Sequence, residues 1–306
     1  MASAATLAYP GVVKATQIEE TLEAVSRLAG EAGRIIMPFF KNDCAHHLKP
    51  DLSPVTEADV ASHGFLVKAL GELNPSLPVV SEESFGVEAP NLSVGDYWLI
   101  DPLDGTKEFL KGRPQFTVNI AMMRERRPIL GVVHAPVLGL TYLAADGKGA
   151  WRQQGQNPPA AIRTRAADPH RLTVVASKDH SGPGVKRLLS KLPSPGVTNI
   201  GSSLKFCLIA DGQADLYFRD LPTMEWDTAA AQCVVEAAGG LVRDLNGEPL
   251  RYGKPGLENP GFVVLGDPNF PWNDLVPGKE NQDAFRAFFA AVCGDTGDGA
   301  RAISAP

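Results

Sequence analysis

A chain of 306 residues is long enough for one large domain or two modest ones, each with a sizeable core. Its hydrophobic content of 44% and charged content of 21% argue against disorder as the default state. A net charge of −6 speaks against a broad nucleic-acid-binding face, but it is compatible with a small phosphorylated substrate whose charge is offset by metal ions or local cations.

From Thr16 to Phe40, the residues Ile18, Leu22, Val25, Leu28, Ile35 and Phe39 mostly recur at three or four, which predicts one long amphipathic helix with an interruption near Gly30 and Gly33. The segment "KNDCAHHLKP" (41–50) reads as a solvated loop, and nothing assigns a role to His46 and His47. Ser53-Pro54 is a turn, and a second helix follows with Thr56 as its N-cap. "LPVVSEES" is a short strand ending in acids, and "DYWLI" is a strand that Pro102 should end. "FTVNIAMM" and "ILGVVHAP" form a hairpin about the turn "RERRP", and "LTYLAAD" and "GKGAWRQ" a second strand pair.

The Pro- and Gln-rich "RQQGQNPPAA" marks a boundary near residue 155. Beyond it strands alternate with helices. "RLTVVASKD", "VTNI", "ADLYF" and "GFVVLGD" read as strands. "GVKRLLSKL", "SSLKFCLIADG", "WDTAAAQCVVEAAGG" and a closing "QDAFRAFFAAV" read as helices, before a tail, "GDTGDGARAISAP", that reads as disordered. The first half is therefore α+β and the second α/β. Cys44, Cys207, Cys233 and Cys293 form no C-x-x-C pair, which suits a reducing compartment, and Cys207 and Cys233 read as buried core thiols. No run reaches the roughly 18 apolar residues of a membrane span. The weakly apolar start does not resemble a signal peptide, so the expected location is the cytoplasm, with a short organellar leader left open.

The chemistry concentrates in "DPLDGTKEF" (101–109). Asp101 and Asp104 can converge on one point with the Leu103 carbonyl between them, an all-oxygen donor set suited to Mg²⁺ or Mn²⁺. The Gly105 and Thr106 amides, at the start of a short helix, would suit a phosphate. Taken alone, the motif could equally be a solvated acidic turn. Glu82 at a strand end, Asp59 in a first helical turn and Asp227 before a helix each have an ordinary account of their own: a solvated acid, dipole compensation and an N-cap. Four such acidic positions are harder to explain separately.

Together "SPVTEAD", "VSEES", "DPLDGTKEF" and "WDTAAAQCVVEAAGG" resemble the signature of the inositol monophosphatase-like superfamily of magnesium-dependent, lithium-sensitive phosphatases, over about residues 16 to 265. Lys107-Glu108, "GSSLKFCLIADGQADLY" and "FTVNIAMM" followed by "PILGVVHAP" resemble its 3′(2′),5′-bisphosphate nucleotidase (CysQ-type) branch, which converts 3′-phosphoadenosine 5′-phosphate to AMP in sulfur metabolism.

The resemblance implies a layered αβαβα sandwich. Residues 1–155 would supply most metal ligands, and residues 156–306 would supply Asp227 and the nucleotide contacts. Glu82, Asp101 and the Leu103 carbonyl would hold one Mg²⁺, and Asp101, Asp104 and Asp227 a second, with a third, looser ion near Asp59. Thr106 would orient a metal-activated water, with Asp59 or Glu82 taking its proton. Gly105 and Thr106 would bind the phosphate under attack, and Ser202, Ser203, Lys205 and Arg219 the rest of the nucleotide. An inositol monophosphatase or a fructose-1,6-bisphosphatase is the competing enzyme, and a non-catalytic acidic metal-binding protein the competing class. Monomer and homodimer are both left open.

Overall fold

A computed structural model describes residues 17–41, 46–48, 54–84, 95–168, 170–176, 183–192 and 194–272. The expected closing helix and the tail lie outside them, as do Cys44 and Cys293.

Helix α1 (Ile18–Ile36) buries Ile18, Leu22, Val25, Ala29, Ala32 and Ile36, a stripe at alternating spacings of four and three. It runs without the interruption expected at Gly30 and Gly33. At Gly33 a Cβ would lie 2.8 Å from the His134 ring and 3.0 Å from Pro136, so this glycine serves close approach to the sheet, not a break. Strands β1 (His46–Leu48) and β2 (Pro54–Thr56) pair antiparallel where the sequence suggested a loop and a turn. Helix α2 (Glu57–Leu73) starts at Thr56 as expected.

The first sheet has seven strands in the order β3 (Val79–Ser81), β4 (Tyr97–Asp104), β5 (Thr117–Arg124), β6 (Arg127–Ala135), β7 (Leu140–Ala145), β8 (Gly149–Gln154) and β9 (Ala160–Ile162). Strands β3 and β4 are parallel, and every later neighbour is antiparallel. The β5–β6 hairpin turns through Glu125 and Arg126, both with positive φ (48° and 63°), the backbone of a two-residue hairpin turn. Short helix α3 (Thr106–Leu110) follows β4.

The second sheet draws on β10 (Thr173–Ala176), β11 (Gly196–Asn199), β12 (Leu216–Arg219), β14 (Leu241–Asp244) and β16 (Phe262–Leu265), in the order β11-β10-β12-β16-β14. Strands β13 (Thr223–Met224) and β15 (Glu258–Asn259) make a separate pair. The helices of this half are α4 (Pro183–Lys191), α5 (Leu204–Ala210) and α6 (Ala229–Ala237). The first sheet therefore takes one more strand, β9, after residue 155 before the second begins.

Alternation along the strands builds the layers. Trp98, Ile100, Ile120 and Met122 face α1 and α2. Tyr97, Leu99, Ala121 and Met123 face the other way, onto α5, α6 and the inner side of the second sheet, with Tyr217 and Val264. Val174, Leu216, Phe218 and Val263 pack beneath α4 with Leu188. The result is the expected αβαβα sandwich, with α5 and α6 as its central layer. Cys207 and Cys233 are buried in that layer, as core thiols should be.

The layers approach closely at Gly131 of β6, where a Cβ would lie 2.2 Å from the Ala230 carbonyl oxygen and 2.8 Å from Cys233 Cβ. Because backbone opposes it, Gly131→Ala should destabilise the protein by at least about 1–3 kcal/mol, the usual range for overpacking, read as a lower urea midpoint. An unchanged midpoint would show that α6 can move away freely.

Candidate active site

Asp101 continues the face of β4 defined by Tyr97 and Leu99, which places it at the end of the central layer. Strand β4 does not stop at Pro102 as expected. It pairs Asp101 with Asn119 and then Asp104 with Thr117, three steps on β4 against two on β5. That bulge absorbs one residue and returns Asp104 to the face of Asp101. Asp227 arrives from the opposite side, in a single 3₁₀ turn (Glu225–Asp227) that leads into α6. Carboxylate oxygens of Asp101, Asp104 and Asp227 lie within 4.8 Å of one another.

Each carboxylate is held by donors. Asp101, 1% exposed, accepts the Leu103 N–H at 3.0 Å. Asp227 Oδ2 accepts the Met224 N–H at 2.8 Å. Asp104 Oδ2 accepts Ser203 N–H (2.6 Å), Ser203 O–H (2.7 Å), Asn119 Nδ2–H (3.2 Å) and Thr117 O–H (3.4 Å). Burial raises the pKa of Asp101 well above the ordinary carboxylate value, and the neighbouring charges of Glu82, Asp104 and Asp227 raise it further, against the Leu103 hydrogen bond. Burial likewise raises that of Asp227, followed by Asp104 and Glu82. Glu82, in a 3₁₀ turn directly after β3, lies outside the trio but close enough to repel it. Clustered all-oxygen donors in mutual repulsion fit a hard divalent cation, which would relieve that repulsion.

Asp59 closes a capping box with Thr56. Its Oδ2 accepts the Thr56 N–H at 2.8 Å and the Thr56 hydroxyl. Its Oδ1 lies 3.3 Å from Thr106 Oγ1, which is also 3.3 Å from the Leu103 carbonyl. Ser62 donates to the Pro102 carbonyl at 3.0 Å and ties α2 to the bulge. Gly105 sits at φ 96°, a conformation that favours glycine, and a Cβ there would lie 3.2 Å from the Gln115 carbonyl oxygen.

A cavity of about 140 Å³ opens beside the carboxylates, lined by Gly105, Glu108, Ser202, Lys205, Arg219 and Asp227 among others. Lys205 Nζ donates to the Ser202 carbonyl at 2.7 Å and lies 5.6 Å from the Tyr217 ring centroid. Burial lowers the pKa of this ammonium. Arg219 holds its own loop through the carbonyls of Leu221 (3.1 Å) and Pro222 (3.4 Å). Ser202 has φ 50°, and its hydroxyl oxygen is buried without a hydrogen-bond partner.

Of the sequence-predicted residues, Asp101, Asp104 and Asp227 cluster, Gly105, Ser202, Ser203, Lys205 and Arg219 line the cavity beside them, Asp59 and the Leu103 carbonyl bond Thr106, and Glu82 stands outside the trio. Sequence reasoning did not single out Thr117 and Asn119 as partners of Asp104, although a polar pair in the otherwise apolar strand "FTVNIAMM" is the kind of signal that marks them. Nor did it pick out buried Glu225, which accepts the N–H groups of Gly253 (2.7 Å) and Lys254 (3.0 Å) and the Lys254 ammonium (2.6 Å), and so anchors the turn that presents Asp227.

The Inositol monophosphatase family model matches residues 17–264. The 3′(2′),5′-bisphosphate nucleotidase CysQ of Escherichia coli (strain K12) is 45% identical over 250 residues, 79% of this chain and 98% of its own. The Haemophilus influenzae protein of the same name is 36% identical over 262 residues, 84% and 97% of the two chains. The crystal structure of CysQ from Bacteroides thetaiotaomicron superposes with a TM-score of 0.70 at 34% identity, covering 81% of this chain and 97% of that one. A Thermotoga maritima IMPase, at 24% identity and a TM-score of 0.67, shares the fold.

Repulsion within the trio has a sign that can be measured. The folded-state pKa values of Asp101 and Asp227 lie above an unfolded value near 3.9. The stability they contribute is therefore complete below that value and is lost as pH rises through the folded-state values. In EDTA, urea unfolding should show the protein weakening from acidic toward neutral pH. Asp101→Asn, which removes one of the repelling charges, should therefore raise metal-free stability at pH 7. A variant less stable than the parent under these conditions would contradict this account of the trio.

Proposed function

The chain belongs to the inositol monophosphatase family, in its CysQ branch, and on that premise we propose that it is a divalent-metal-dependent phosphatase that removes the 3′-phosphate from 3′-phosphoadenosine 5′-phosphate, giving AMP. One observation carries this reading: a single cavity has the Asp101–Asp104–Asp227 carboxylates beside it and Lys205 and Arg219 in its lining. A substrate with two phosphates needs both kinds of wall, one for the ester that is cut and one for the phosphate that only binds.

Glu82, Asp101, the Leu103 carbonyl, Asp104 and Asp227 would hold the ions, two in number with a third near Asp59, and Mg²⁺ suits these oxygen donors. When bound, such ions offset the carboxylate charge and stabilise the charge that builds on the phosphate oxygens. The remaining work falls to the chain itself. Thr106 Oγ1, 3.3 Å from Asp59 Oδ1, can accept a hydrogen bond from the attacking water while directing its own hydrogen toward Asp59. The Thr56 cap keeps Asp59 Oδ1 turned to that task, and Glu82 is the second available proton acceptor. The Gly105 and Thr106 amides hold the phosphate under attack. Lys205 and Arg219 take the 5′-phosphate, and the unpaired Ser202 hydroxyl makes a further nucleotide contact. No protein nucleophile is required.

With Mg²⁺ present, kcat/KM for 3′-phosphoadenosine 5′-phosphate should exceed that for inositol 1-phosphate by about tenfold or more, as the loss of one charged hydrogen bond implies. The reverse preference would move the chain to inositol ester hydrolysis. Lys205→Ala should raise KM for the bisphosphate roughly tenfold and leave hydrolysis of 3′-AMP nearly untouched. Asp101→Asn should remove turnover on both substrates.

A further inference from the structure

Asp104 carries an unusual load. Four donors converge on its Oδ2, two of them from Ser203, and its Oδ1 is left for a cation. Ser203 stands 99 residues further along the chain, in the turn between β11 and α5, and is 2% exposed. Its hydroxyl accepts the Asn119 Nδ2–H at 2.8 Å. The single hydroxyl proton faces two acceptors, Asp104 Oδ2 and the Asp227 main-chain carbonyl, both at 2.7 Å. One small side chain therefore links a ligand from the bulge of β4 to the turn that presents Asp227. Asn119 is 1% exposed and its Oδ1 is buried without a partner, so its place is explained by its N–H groups, which serve Asp104 and Ser203.

Ser203 falls in a segment whose resemblance suggests nucleotide contact. Its amide and hydroxyl, however, are both committed to the carboxylate side of the cavity. We propose that Ser203, supported by Asn119, is a positioning residue of the metal centre: it fixes Asp104 in a one-oxygen ligand geometry and sets the distance between Asp104 and Asp227. Partners of this kind orient ligating carboxylates, and their loss weakens metal affinity about 10–100-fold. The inference rests on the metal-dependent reading of the site.

The test is a Mg²⁺ titration of the purified full chain, read as thermal stabilisation and by calorimetry, with KM for the bisphosphate measured at saturating Mg²⁺. Ser203→Ala should raise the Mg²⁺ concentration for half-maximal stabilisation about tenfold or more, with KM close to the parent value. Ser203→Thr, which restores the hydroxyl, should return the midpoint toward that of the parent. A Ser203→Ala midpoint equal to the parent's overturns the proposal, and a raised KM beside it makes Ser203 a nucleotide contact. If Ser203→Ala does not fold, Asn119→Ala replaces it: a raised midpoint supports the clamp and an unchanged one overturns it. A parent chain that shows no response to any divalent cation removes the metal reading itself, and this inference with it.

Discussion

Two carboxylates three residues apart on a regular strand point to opposite faces of the sheet. In β4 the extra residue between Asp101 and Asp104 cancels that alternation, and both carboxylates turn toward the central layer. Most of the site depends on this bulge. Leu103 projects into the outer core and anchors it from behind, while Ser62 of α2 bonds the Pro102 carbonyl. The kink also delivers the chain to Gly105 and Thr106 at the edge of the cavity. Straighten β4, and Asp104 would face α2 and the outer core, away from Asp101.

Holding such a cluster together without a cation is unfavourable. The donors around it answer the local part of the problem: Leu103 for Asp101, Met224 for Asp227, and the Ser203–Asn119–Thr117 group for Asp104. The wider fold answers the rest. Aromatic and aliphatic side chains of β4 and β5 pack on both faces of the first sheet, and buried Glu225 with Lys254 pins the turn before Asp227. Breaking such a buried pair typically costs about 3–5 kcal/mol, because the remaining charge is stranded. The repulsion is thus confined to a small volume inside a frame that does not depend on it.

The acidic residues of the site were legible in the sequence because each sits at a punctuation point: a strand end at Glu82, a Pro/Gly-marked bend at Asp101 and Asp104, and helix entries at Asp59 and Asp227. Periodicity also showed six of the seven strands of the first sheet, all but β9, and most helices. It misread Pro102, since a proline in a bulge needs no ladder donor and the strand can pass through it. It misread Gly33, because a helix packed over a sheet tolerates a glycine that permits close approach. Strands of two to four residues such as β1, β13, β14 and β15 carry too little pattern to register. The Ser203–Asp104 clamp was beyond local reading altogether, since its partners are distant in sequence and neither residue type advertises the other.

That separation bears on how the molecule assembles. Contacts between positions so far apart carry a loop-closure entropy that delays them. An early intermediate with the first sheet in place could present Asp101 and Asp104, yet it would lack Asp227 and the donors that steady Asp104. A divalent ion would find little grip there and would bind the fully docked state in preference, which makes it a selective stabiliser of the finished protein. Metal capture would then act by mass action, drawing the population toward those chains in which the second sheet has docked onto the first.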